Sequence, residues 1–526
     1  MAEEKRLKYK FNIIAFLLIA IFCISNVSVT LENDTFYTIK VGEQIVNNGL
    51  TMQDTFSWHE NLPYEYPHWA YDVIIYFIYN IGGFLGIYLS TIVFGIILGW
   101  CIYKVNLNIT KNAITSLLVT IISIISIRNF ITARAQLITY IMFIVTIYCI
   151  EKFLERKKKK YAIGLIIISI IIANIHVAVW PFFFVLFLPY IAEDIVYRII
   201  HIFKLKSKRY SNIDKEKINE LQTSIEKTEI KKDDELNNLY KITISKNDNI
   251  KYLILIMIIC IFTGLLTPLK DTPYTYLYRT MKGNSTEYIT EHLPTILIQE
   301  KRFLVLVLSY IGLLIFTKVK IKLSDLFMLG GLFLLSLIGR RHIALFVIIN
   351  SIVLNRLICS IIEKHNKNFI MTMEKNVTNY IGATLIISMA LIINCNQLEK
   401  ISKQPIIDET AYPVKASEFI LNNIDLKSAK LYNSYNYGSY LIFKNIPVFI
   451  DSRCDLYTPE INGGKDIFTD YINISSLKED YIPKFEEYGI THVILKNSDQ
   501  LKSVIRMDKN YKIIYEDKDF CLYEHI

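Results

Sequence analysis

Residues 5–37 read KRLKYKFNIIAFLLIAIFCISNVSVTLENDTFY. Lys5, Arg6, Lys8 and Lys10 come first, an apolar run from Phe11 to Thr30 follows, and the chain then turns acidic at Glu32 and Asp34. A run of about 20 apolar residues is long enough to cross a bilayer as a helix. The basic flank predicts a cytoplasmic start and an outer exit. The run is longer than the apolar region of a secretion signal, and no small-residue cleavage site follows it. It is therefore expected to stay as a first, uncleaved span.

The rest of the chain repeats this alternation. Of its 526 residues, 52% are hydrophobic, and two polar regions, about 201–250 and 397–526, hold that share down. Apolar runs at 11–30, 84–103, 113–127, 136–153, 161–175, 177–195, 250–267, 303–317, 324–338, 342–360 and 378–394 predict about eleven transmembrane helices. Basic residues fill every second break: 5–10; Lys104 and Lys111; Lys152 and Arg156 to Lys160; Lys204 to Lys251; Lys318, Lys320 and Lys322; and Arg356, Lys364, Lys367 and Lys375. The positive-inside rule assigns all of these to the cytoplasm. Segment 69–81 is amphipathic and short. As a full crossing it would put every later basic break on the wrong side, so it is expected to lie in the interface or to re-enter.

The expected fold is thus a polytopic α-helical membrane protein with a C-terminal soluble α/β domain. Residues 1–396 form the membrane part, with a polar cytoplasmic insertion at 201–249. Residues 397–526 form an extracytoplasmic domain, because an odd number of spans follows a cytoplasmic N-terminus. The net charge of +9 comes from lysines placed between apolar runs, so membrane topology explains it and nucleic acid is excluded as a partner. None of the eight cysteines has CxxC spacing, and most read as small buried hydrophobes.

In the tail, strands are expected at Lys430–Asn433, Pro447–Asp451, Thr491–Lys496, Tyr511–Tyr515 and Phe520–Tyr523. Helices are expected at 413–422 and near 459–472, 478–488 and 498–507. This alternation predicts a small α/β sandwich with a partly parallel sheet and a closing hairpin. Polar residues after two of the strands, Asn433 to Tyr440 and Asp451 to Asp455, could face a crevice. Asp451 and Arg453 could equally form an internal ion pair that shapes a turn.

No phosphate-binding loop, dinucleotide fingerprint or zinc-protease motif is present. The chemistry-bearing residues cluster instead at the outer ends of the spans. Asp34, Asp54, His59, His68 and Trp69 come from the first outer stretch. Arg128, Arg134 and Gln136 come from the next outer turn, and Asn174 and His176 from the one after. Lys270, Arg279, Glu287, Glu291 and His292 lie in a long outer loop, and Arg340, Arg341 and His342 close the set. Taken singly, such arginines are commonly interfacial anchors. Together, two carboxylates and several basic groups suit a lipid phosphate held beside a hydroxyl acceptor.

The first span, Asp34 with Tyr37 and Gly42, the stretch Asp54-Thr-Phe-Ser-Trp58, and His68-Trp69 at the start of an interfacial helix resemble the GT-C superfamily. They are most similar to bacterial relatives of the dolichyl-phosphate-mannose protein mannosyltransferases. Arg134-Ala135-Gln136 resembles that family's Arg-Pro-Gln element, and Asn174-Ile-His176 resembles a span ending in Asn-x-His. In the tail, Tyr412-Pro413, Asn433 to Tyr440 and Phe449 to Arg453 resemble the outer domain of the same bacterial group.

The resemblance implies transfer of a sugar from a polyprenyl-phosphate donor on the outer face of a bacterial plasma membrane, with membrane lipids as the remaining partners. It implies Asp34 as the catalytic carboxylate and Asp54 as the second candidate, with Asn33-Asp34 standing where the family has Asp-Glu. His59, His68, Trp69, Arg134, Gln136, Asn174, His176, Lys270, Arg279, Arg340 and Arg341 are the candidate substrate-binding residues. Some members of the family need a divalent cation, for which Asp34, Asp54 and His59 could supply ligands. Two other classes stay open: a transporter or flippase for a lipid-linked or small polar substrate, and a non-catalytic component of surface-polymer assembly.

Overall fold

The computed structural model describes residues 2–210, 241–283, 285–365 and 369–526. The apolar runs form helices: α1 (Ala2–Ile24), then α2 (Asn33–Asn48) on the outer stretch, α3 (Trp69–Thr110), α4 (Ala113–Ser126), α5 (Ala135–Arg156), α6 (Lys159–Ile175), α7 (Trp180–Val185) and α8 (Leu188–Tyr210). They continue as α9 (Ile250–Phe262), α10 (Thr272–Lys282), α11 (Lys301–Phe316), α12 (Leu323–Ile338), α13 (Ile343–His365), α14 (Phe369–Thr378) and α15 (Tyr380–Ser402).

Among the described residues, six helical segments are long and apolar enough to cross a membrane: Lys5–Ile24, Trp69–Thr110, Ala135–Arg156, Val177–Ile202, Arg340–Lys364 and Tyr380–Ser402. The expected count of eleven therefore depends on shorter helices as well. The 14 residues of α4 rise only about 21 Å at 1.5 Å per residue. Of the polar insertion expected at 201–249, residues 211–240 lie outside the described residues. On its near side α8 continues to Tyr210, and on its far side β1 (Ile242–Thr243) pairs in parallel with β2 (Ile321–Lys322).

Segment 69–81 and the following span are one helix with a break. Gly83 sits at φ 59° and ψ −153°, a backbone state open to glycine and costly for other residues. Phe84, just past the break, packs against Phe36 of α2 and Phe443 of the tail at ring distances of 5.9 and 5.2 Å. His68, at the other end of the segment, is on the same side of the molecule as α2, since Gly42 of α2 abuts the Asp72 backbone. Both ends of 69–82 thus stay with the outer stretch and the tail.

The helix ends sort into two sets. One set meets around a cavity lined by His68, Arg134, His176, Glu291 and Arg341. The other meets around a cavity of about 410 Å³ lined by Lys152, Tyr190, Asp194, Lys322 and Arg356. There Arg356 donates to Glu151 at 2.6 Å and to Asp325, and Tyr190 donates to Glu151 at 2.8 Å. The ends that carry the basic breaks therefore converge at one end of the bundle, held by buried ion pairs.

In the tail, α16 (Val414–Asn423), β3 (Leu431–Tyr432), α17 (Tyr435–Phe443), α18 (Ile467–Ser475), α19 (Tyr481–Tyr488), β4 (His492–Lys496), β5 (Tyr511–Glu516) and β6 (Phe520–His525) follow in order. The sheet order is β3-β4-β6-β5, with β3 parallel to β4 and the other pairs antiparallel. The strand expected at Pro447–Asp451 does not join this sheet. The first outer stretch captures it instead: Val448 donates to Phe56 O and accepts from Trp58 N, each at 3.3 Å. The helix expected near 459–472 breaks at Gly463, whose φ is 68°.

Outer stretch and tail share one apolar core. Phe36 is fully buried, with Tyr412 and Tyr440 at ring distances of 5.0 and 5.1 Å. Burying such an aromatic is worth about 1.5–3 kcal/mol relative to leaving it exposed. The cysteines are unpaired thiols.

Candidate active site

The turn after α1 brings the chain back so that α2 starts at Asn33, and Asp34 lies in its first turn. Arg134, in extended backbone, precedes α5. Its guanidinium gathers three carboxylates. Nε lies 2.6 Å from Glu32 and 3.2 Å from Asp34, and Nη1 donates to Glu291 at 2.7 and 2.9 Å. The forked guanidinium suits such multiple pairing. These carboxylates raise the hold of Arg134 on its proton well above the ordinary value, against the opposing effect of burial. Asn33 donates to the Tyr435 carbonyl at 2.9 Å, which ties this turn to the tail.

Asp34 and Arg134 open onto a cavity of about 530 Å³. Behind them Tyr37, His68, Gln136 and His176 line a recess of about 50 Å³. The His68 and His176 rings lie 5.3 Å apart, and the His176 Nδ1 is 3.3 Å from the Thr139 hydroxyl. Burial holds His68 neutral, its pKa lowered to about 4. Behind His68 lies Asp72, fully buried, with neither oxygen hydrogen-bonded and 4.0 Å from His68 Nδ1.

The opposite wall comes from α10, the next outer turn and the tail. Tyr276 and Thr280 of α10 donate to Asp455 of the tail at 3.0 and 3.3 Å. Arg341 lines the cavity and stands 3.0 Å from His292 Nε2. Among the described residues it forms no ion pair with a carboxylate. Tyr435, Asn436 and residues 452–456 complete the wall.

No family model matches the sequence, and no curated protein does. Solved structures do match. The apo form of the Archaeoglobus fulgidus oligosaccharyltransferase superposes with a TM-score of 0.53 at 10% identity, over 93% of this chain and 69% of that one. The same enzyme, tethered by a disulfide to an acceptor peptide containing the NVT sequon, gives 0.53 at 10% identity over 97% and 74%. The likeness is one of fold, at an identity of 10%.

Of the expected site, Asp34, His68, Arg134, Gln136, His176 and Arg341 line the one cavity. Asp54 and His59 do not. Asp54 accepts from Arg453 at 2.7 Å, from Ser57 N at 2.9 Å and from the Ser57 hydroxyl. Burial alone would raise the Asp54 carboxyl, but Arg453 and Ser57 reverse that and hold it below the ordinary carboxylate range. Arg453 also pairs with Asp451 at 2.8 Å and lies between the Phe56 and Tyr64 rings. The internal ion pair expected between Asp451 and Arg453 is present and extends to Asp54.

His59 is packed among Trp58, Phe449 and Tyr488, its Nε2 2.8 Å from the Phe449 carbonyl. Trp69 donates to Asn174 at 3.2 Å, and Asn174 donates on to Leu266 O, so this pair braces the helices beside the cavity. Arg279 pairs with Glu65 and Arg340 with Glu300, while Lys270 is exposed outside the cavity.

The set Asp34, Asp54 and His59 is therefore not assembled as a cation site, and the carboxylates that do converge gather on Arg134. Among the described residues no group of three or more His, Cys, Asp or Glu is placed to hold a metal. Glu32, Glu65 and Tyr276 are cavity or Arg134 neighbours outside the expected site, while Tyr435 and Asp455 belong to the two tail stretches expected to face a crevice. The spacing of α10, with Tyr276 and Thr280 on one face, was the available signal for Tyr276.

Proposed function

We propose that this chain is a membrane glycosyltransferase that moves a sugar from a polyprenyl-phosphate carrier to an extracytoplasmic acceptor: a surface glycan, a lipid or a protein. The observation that carries this reading is Asp34, a cavity-lining carboxylate 3.2 Å from Arg134, in a 530 Å³ cavity of a fold shared with an oligosaccharyltransferase. The N-terminus is cytoplasmic, the basic helix ends face the cytosol, and the cavity faces the outer side of a bacterial plasma membrane.

Asp34 takes the proton of the acceptor hydroxyl while the acceptor oxygen attacks the anomeric carbon. The bond from that carbon to the phosphate oxygen breaks, and the polyprenyl phosphate leaves with the electron pair. A single displacement inverts the anomeric centre. Arg341, the cavity's cation without a carboxylate partner among the described residues, receives the phosphate charge. Arg134 is already saturated by three carboxylates, so its part is to orient Asp34. His68, Gln136 and His176 line the side of the 530 Å³ cavity against which the sugar ring sits. Asp54 and His59 serve as packing that holds the outer stretch to the tail. No step runs through a metal ion.

A positioned general base contributes about 10²–10⁴-fold. Asp34→Asn should thus lower transfer by at least that range while leaving the protein's amount in the membrane unchanged. Wild-type transfer in that variant would remove Asp34 from the role.

A further inference from the structure

The outer loop between α9 and α11 has an apolar face that none of the described residues covers. Helix α10 is two-sided. Its inner positions Thr272, Tyr276 and Thr280 are buried, and the last two carry the hydrogen bonds to Asp455. Its outer positions Tyr274, Tyr278 and Met281, spaced by four and three residues, are exposed, the last two by 62% and 67%. Positions spaced in this way share one helix face. A water-facing stripe of this kind is costly on a soluble surface.

The stripe is continuous with the lipid-facing side of the bundle. Leu255, Ile258, Phe262, Leu265 and Leu266 are exposed along α9 and its end. Tyr274 joins the two, its hydroxyl donating to Ile261 O at 2.7 Å and its ring 5.3 Å from Trp180. Ile296 and Ile298, also exposed, extend the same loop toward α11. Lys270 and Lys282 flank α10, and the Lys282 ammonium sits 4.5 Å over the Tyr278 ring. Tyrosines and lysines bordering an apolar stripe match the composition of helices that lie in a bilayer interface.

We infer that α10 lies on the outer leaflet with Tyr278 and Met281 in the headgroup–acyl boundary, so that the phospholipid surface is the partner of its exposed face. This rests on the proposed membrane-spanning arrangement and on no assumption about the reaction. The consequence is structural: the helix that supplies one wall of the cavity through Tyr276 and Thr280 is the helix seated in lipid. The cavity then opens at bilayer level, where a lipid-anchored substrate can reach it without leaving the membrane.

The test uses the full chain in nanodiscs holding one copy each, with Cys101 and Cys395 replaced by serine. An environment-sensitive fluorophore is attached in turn to Met281→Cys, Tyr278→Cys, Leu266→Cys and Lys518→Cys, and lipids carrying a shallow nitroxide quencher are added. Positions 278 and 281 should emit to the blue of position 518 and be quenched as strongly as position 266. Quenching no stronger than at 518 overturns the inference. Blue-shifted emission without lipid quenching overturns it too, and points to a protein partner. If position 266 is itself unquenched, the membrane-spanning arrangement fails first, and the two failures are told apart.

Discussion

Arg453 shows what a single residue holds together here. It pairs with Asp54 from the first outer stretch and with Asp451 from its own turn, all three side chains being nearly inaccessible. Removing one member of a buried ion network leaves charge uncompensated and costs about 3–5 kcal/mol. Arg453→Met should therefore unfold at markedly lower temperature in detergent, and adding Asp54→Asn and Asp451→Asn should recover part of the loss. A melting temperature equal to wild type would show that the network does not anchor the tail.

His59 makes a pH prediction. Burial lowers its pKa to about 4 in the folded chain, against an ordinary 6.5. Its contribution to stability is complete above pH 6.5, is lost as pH falls through the interval, and is gone near pH 4. The loss is about 3 kcal/mol at one order-of-magnitude unit of 1.4 kcal/mol per pH unit. His59→Gln should lose less stability than wild type between pH 7 and pH 5 by thermal unfolding. The same residues show why the site was only partly legible. A carboxylate or imidazole among aromatics reads alike whether it binds a ligand or packs. What decides is a partner such as Arg453, 399 residues from Asp54.

Among the elements, α2 and α3 cross closely at Gly42. A Cβ there would lie 2.1 Å from the Asp72 carbonyl oxygen, whereas one at Gly312 in α11 would meet nothing within 4 Å. Overpacking of this kind costs about 1–3 kcal/mol. Gly42→Ala should lower both the unfolding temperature and the transfer rate, because α2 carries Asp34. Gly312→Ala should leave both unchanged or raise stability slightly, as expected of alanine in a helix. Equal behaviour of the two variants would contradict the crossing. Phe36→Ala, which empties the seam between α2 and α17, should cost about 3–5 kcal/mol by the same measurement.

At this scale the helices were legible, because apolar periodicity and basic breaks are local signals. The captured segment at Pro447–Asp451 was not. Its alternating apolar pattern is that of a strand, and only the presence of Phe56 and Trp58 decides which partner it pairs with.

For the whole molecule, the charge alternation of the breaks anticipated which helix ends meet, and the two cavities at opposite ends of the bundle reflect that order. It did not anticipate that the tail would wall the cavity, since Tyr435, Asn436 and Asp455 reach it only through packing of α17 against α2. The cavity draws its groups from five separate outer segments and the tail. Its chemistry is therefore a property of the assembled chain.

Purified protein in lipid nanodiscs, incubated with a panel of polyprenyl-phosphate sugars and scored for released polyprenyl phosphate, tests the glycosyltransferase account directly. The wild type should release the lipid phosphate from at least one donor, and Asp34→Asn from none. Equal release by both proteins, or vesicle uptake of an intact donor with no release, would contradict it.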